Sequence, residues 1–189
     1  MNASEVKVWV EIVTGVVTVI GVPAAGVKAL WEWQRSTEHR KEELSQRRQE
    51  FRQKQAIFAR ALVREVFADP KARAALNMLD WKRDSYPGDN GEMHEIHFDE
   101  VKHAMRGYDM NFSEKEKFMR KRFEALYDHL EEIEQLISVR VVNFEDVKTA
   151  FGFYAQLILQ DEELRAAHLQ FLDDFDYPRA RAFLLRFGK

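Results

Sequence analysis

IVTGVVTVIGVPAAGV, residues Ile12–Val27, is the stretch on which the reading of this chain turns. It is 16 residues long and carries no charge, with Trp9 before it and Lys28, Trp31 and Trp33 after it. A membrane-spanning helix takes about 20 apolar residues to cross a hydrocarbon core of roughly 30 Å. Sixteen residues at about 1.5 Å each reach roughly 24 Å. Counting from Val8 to Leu30 supplies the missing length, provided that Glu11 and Lys28 sit near the two ends. Lysine stems snorkel and tryptophan suits the headgroup level. The pattern therefore predicts a single transmembrane helix over about 8–30, inside an anchor segment 1–33. A buried core helix and a cleaved signal peptide are the alternatives. For the latter, Glu5 and Glu11 offset Lys7 in what is normally a basic start.

The predicted span has two unlike sides. At about 100° per residue, Glu11, Thr14, Gly15, Thr18, Val22 and Ala25 fall on one half, and branched aliphatics such as Val13, Val17 and Ile20 on the other. Small residues let helices approach closely and hydroxyls bond between them. A carboxylate in or beside a span faces a bundle interior or water. The expectation is a homo-oligomer packed through that half, lining a passage or only packing. Lys28, Arg35, Arg40 and Lys41 follow the span and only Lys7 precedes it. The positive-inside rule then places the long C-terminal part in the cytoplasm.

Charge divides the rest. Residues 34–68 carry 9 Lys or Arg against 5 acids, and residues 69–189 carry 18 against 24. The basic excess sits beside the predicted membrane surface, where anionic lipid or an acidic partner attracts it. A net charge of −3 gives no global signal for nucleic acid, and the absence of cysteine removes disulfides and thiolate metal sites.

Residues 34–68 lack Pro and Gly and read as a basic helical stalk entering the bundle. Leu30, Leu44, Phe51 and Phe58 fall on a seven-residue grid, interrupted by Thr37 and too sparse to define a coiled coil; the segment reads either as a solvated stalk or as a thin seam joining like helices. Asp69-Pro70 breaks that helix and starts another over 70–83, with Ala75, Leu76, Leu79 and Trp81 inward. Residues 85–91 read as a loop, and 98–107 as a short helix. Ser113 and Glu116 match a capping box opening a helix over 114–138, in which Met119, Phe123, Leu126, Leu130, Ile133 and Ile137 repeat at three and four residues. Asn143 caps a further helix, 162–174 is helical, and Pro178 opens a last one. With no sustained alternation of period two, residues 69–189 read as an all-α cytoplasmic domain.

Two constellations are candidates for chemistry. His94, His97 and His103 lie among acids, but no second tight pair completes a metal set, so no metal and no cofactor are expected. Arg122 and His129, seven apart, share one face of the 114–138 helix as a possible phosphate clamp and acid/base pair. Chance alone supplies about one or two such spacings in a chain with this many Arg and His. No glycine-rich phosphate loop, nucleophile elbow or zinc-protease helix is present.

The N-terminal span, basic stalk, all-α domain and Arg122-x6-His129 together resemble membrane-anchored HEPN-type bacterial proteins, among them accessory proteins of RNA-targeting CRISPR systems. Phe118 to about Leu159 also resembles a widespread uncharacterised bacterial domain found behind one membrane helix. Phe123 follows Arg122 where the compact HEPN motif places a polar residue. The resemblance implies a ring-forming membrane effector of antiviral defence, with a protein or RNA of that system as partner. Three functions follow as expectations: a self-associating membrane protein that alters permeability, a tethered ribonuclease using Arg122 and His129, and a non-catalytic anchor or adaptor. The expected partners are the chain itself and the lipid bilayer, with no small-molecule substrate.

Overall fold

The structure, a computed structural model, describes residues 3–88, 90–107 and 111–188, with side chains for residue 31 and from residue 33 onward. The chain divides into two units, Met1–Arg52 and Gln53–Lys189. One helix, α1 (Ala3–Ala68), runs through the first unit and into the second. There follow α2 (Pro70–Asp80), β1 (Arg83–Pro87), β2 (Met93–His97), α3 (Phe98–Ala104), α4 (Glu114–Ser138), α5 (Phe144–Gln160), α6 (Glu162–Asp174), α7 (Pro178–Leu185) and a closing 3₁₀ turn.

Among the described residues no helix is long and apolar enough to cross a membrane. This corrects the expected fold, a transmembrane helix feeding a stalk and a bundle: the fold is a helical bundle with one hairpin, continuous with a long helix. The apolar run is 16 residues against about 20 needed, with Glu11 and Lys28 at its borders. The side chains of Glu11, Thr14, Gly15, Thr18, Val22, Ala25 and Leu30, assigned to the oligomer face and the seam, lie outside the described residues.

In the second unit, the end of α1 is amphipathic. Ala59, Leu62 and Val66 are buried at three- and four-residue spacing, and Phe67 stacks on Phe151 of α5 at 6.0 Å. Gln55 Nε2 donates to Arg140 O at 2.6 Å, tying α1 to the α4–α5 turn. Asp69 ends α1 and caps α2, its Oδ1 accepting from Lys71 N at 2.8 Å, with Pro70 supplying a preset φ at the first position. Helix α4 is the bundle's axis and packs on α2, α3 and α7. Its capping box forms as expected, and all six residues of its apolar repeat are buried. Asn143 Oδ1 caps α5 through Glu145 N.

Two local expectations are corrected. Residues 83–97 form an antiparallel hairpin, with Tyr86 opposite His94 and Asp84 opposite Ile96. Its turn closes through Gly88 N to Glu92 O, and Gly91 takes φ +84°, a conformation that favours glycine. Trp81 is 56% exposed, because α2 stops at Asp80 and extended backbone at Trp81 swings its side chain off the helix face.

Candidate functional site

Asp69 bonds one of the two residues singled out for chemistry, His129, and lines a groove with the other, Arg122. Its Oδ1 is taken by the α2 cap, and its Oδ2 bonds His129 Nε2 at 3.2 Å. Burial pulls the Asp69 carboxyl upward, but the bonds from Lys71 N–H, His129 and Ala72 N–H outweigh it and hold the group below its ordinary value. Asp69 also lines a groove of about 300 Å³ with Lys71, Tyr86, Pro87, Phe118 and Arg122. Arg122 is buried, its guanidinium 3.5 Å from the centre of the Phe118 ring, and Nη1 donates to Phe118 O at 3.5 Å. Two turns of α4, about 10 Å, separate Arg122 from His129 along the axis. The groove therefore holds Arg122 and Asp69, and His129 reaches it through Asp69. Chemically this is a carboxylate-oriented imidazole, with a ring-stacked cation two helical turns away.

Tyr86 completes the groove wall. Its hydroxyl is buried without a hydrogen-bond partner, and burial pushes its pKa up to about 12. It is therefore a neutral phenol at any ordinary pH.

The histidine-rich segment does not converge. His94 and His97 fall on β2, where residues three apart point to opposite faces. His94 packs on Phe118 with ring centres 4.5 Å apart, and His97 Nε2 lies 3.4 Å from Glu95. Among the described residues no three potential metal ligands come together.

A second surface lies on α1 within the first unit. Leu44 and Phe51 are each 55% exposed and Trp33 is 67% exposed. Eleven residues from Trp33 to Leu44 make three turns, and seven from Leu44 to Phe51 make two, so the three share a face. Arg40 and Arg47 border it on one side and Lys41 and Arg48 on the other, all exposed. Of the predicted seam, Leu44 and Phe51 lie here. Phe58, 42% exposed, belongs to the second unit.

Three polar positions that a reading for apolar repeats passes over lie in the bundle core. His168 is fully buried, its Nδ1 bonded to the Tyr127 hydroxyl, its ring 5.0 Å from that of Phe123. Arg120 donates to Ala104 O at 2.8 Å and Arg106 O at 3.1 Å, with the rings of Phe112, Phe171 and Phe175 around it. Glu134 accepts two bonds from Arg186, at 2.8 and 2.5 Å. The signal was spacing: His168 is four residues from Leu164 and three from Phe171, a core-facing position whatever occupies it.

Comparison of the chain with known protein families, with curated proteins and with solved structures finds no match.

Proposed function

We propose that this chain is a non-catalytic adaptor, in which α1 supplies an attachment face and the bundle is the body presented by it. The observation that carries this reading is the exposure of Trp33, Leu44 and Phe51 at whole-turn spacing on α1, where the other residues with described side chains in the first unit are polar apart from Trp31. Scattered single hydrophobics need no explanation, but a line of large ones on one face marks a contact surface. In support, Arg122 and His129 are engaged by the fold: one rests on Phe118, the other bonds the residue that caps α2.

A second reading, a ribonuclease, is favoured by one feature. Asp69 orients His129 and shares its groove with Arg122, a workable acid/base and phosphate-clamp pairing. Labelled single-stranded RNA incubated with the full chain separates the two. The adaptor leaves the RNA intact. Cleavage that disappears in both Arg122→Ala and His129→Ala, with folding retained, would replace the adaptor by the enzyme.

A further inference from the structure

We infer that the face of α1 centred on Trp33, Leu44 and Phe51 docks along an anionic lipid surface. This rests on the adaptor reading and names what its attachment face meets.

The charge arrangement around the face is the first argument. Arg40, Lys41, Arg47 and Arg48 lie within about 60° of its centre at 100° per residue, on both flanks. The acids of the same stretch, Glu38, Glu42, Glu43 and Glu50, all lie about 100° or more away. The apolar line is thus framed by cations alone. Thr37 falls in the same line, and its hydroxyl is satisfied by Gln34 O at 2.7 Å.

That frame discriminates between occupants. A second copy docked through the same face would set four cations against four, a repulsive layer with no acid between them. A nucleic-acid strand would pair with the cations but has no use for Leu44 at the centre. An anionic bilayer surface meets both parts: lipid headgroups take the arginines and lysines, while Trp, Leu and Phe enter the boundary of headgroup and acyl chain. The helix lies along the surface in this arrangement.

The test uses the full chain. Because the chain has no cysteine, Thr37→Cys accepts a single environment-sensitive dye on the face, between Trp33 and Leu44. The dye reports its own surroundings, so lipid contact elsewhere in the chain does not move it. With vesicles of equal parts phosphatidylcholine and phosphatidylserine, the emission is expected to rise and shift to the blue. It should stay flat on phosphatidylcholine alone and revert in high salt. Arg47→Glu with Arg48→Glu should weaken the response on the order of tenfold or more. A flat response on the mixed vesicles, or an equal response on both compositions, overturns the inference. A rise that tracks chain concentration without vesicles overturns it in favour of self-association, and an equal rise with polyglutamate overturns it in favour of an acidic protein. Failure here leaves the adaptor standing, whereas RNA cleavage dependent on Arg122 and His129 removes the adaptor itself.

Discussion

His168 gives the bundle an acid limit that can be worked from its surroundings. The imidazole is fully buried, Nδ1 faces the Tyr127 hydroxyl, and Nε2 is buried without a partner. Protonation would place a charge among Phe123, Tyr127 and their neighbours, with one N–H left unanswered. Burial accordingly pushes its pKa down to about 3 from the ordinary 6.5. Between those two values the unfolded chain binds a proton that the folded chain refuses. Stability is therefore complete above about pH 6.5 and is lost progressively as pH falls towards 3. Linkage over this range gives about 3 kcal/mol lost between pH 7 and pH 4, from this group alone. The perturbation is the pair His168→Phe with Tyr127→Phe, which removes both partners of the bond and leaves rings of similar volume. Urea unfolding of each protein, followed by near-ultraviolet circular dichroism at pH 7, 5.5 and 4, measures the difference. Carboxylates held low in the fold, such as Asp69 and Glu116, also shed stability towards acid, but in both proteins, so the difference isolates His168. The wild type should lose about 3 kcal/mol more than the double variant between pH 7 and pH 4. Parallel curves would refute the reasoning, since they would mean that His168 accepts its proton equally in both states.

Arg120→Met removes the donor to Ala104 O and Arg106 O, and should cost about 2 kcal/mol by chemical denaturation, because both carbonyls lose a buried partner. Arg186→Ala strands the Glu134 carboxylate, which is 5% exposed; the cost should be roughly 2 kcal/mol, below that of a fully buried pair because Arg186 is partly exposed, and adding Glu134→Gln should recover part of it. Arg140 holds φ +62° at the α4–α5 turn, so Arg140→Gly should raise the unfolding free energy by about 0.5–1 kcal/mol, while the carbonyl that accepts from Gln55 is retained.

Helix α4 was legible to its ends because two independent signals agree on it. Ser113 and Glu116 mark its start, and six apolar residues at helical spacing mark its buried face. The hairpin was not legible, because each five-residue strand buries a single residue, Tyr86 or Ile96, and one buried position makes no alternation. Its shape comes from the glycine turn and from packing of those two residues on the helices. The polar core was missed for a related reason: periodicity counts apolar residues, and His168, Arg120 and Glu134 occupy inward positions by bringing their own partners. The apolar run Ile12–Val27 shows the converse, since length and lack of charge invited a spanning helix that no described helix supplies. At the candidate site, the Arg122–His129 spacing was visible in sequence, but Asp69, sixty residues before His129, was not connected to it until the chain folded.

Asp69 is therefore where the adaptor and the ribonuclease readings of α4 part. Asparagine is nearly as good an N-cap as aspartate, so Asp69→Asn should keep α2 and change stability by less than about 1 kcal/mol. Asp69→Ala loses the cap as well as the His129 bond, and should cost about 1–2 kcal/mol. If the carboxylate serves only the fold, these two variants differ in unfolding free energy and in nothing else. If it orients His129 for proton transfer, Asp69→Asn would abolish RNA cleavage in a chain as stable as the wild type. Stability and cleavage measured on the same two proteins thus separate a residue that holds a helix from one that holds a base, because asparagine keeps the first role and gives up the second.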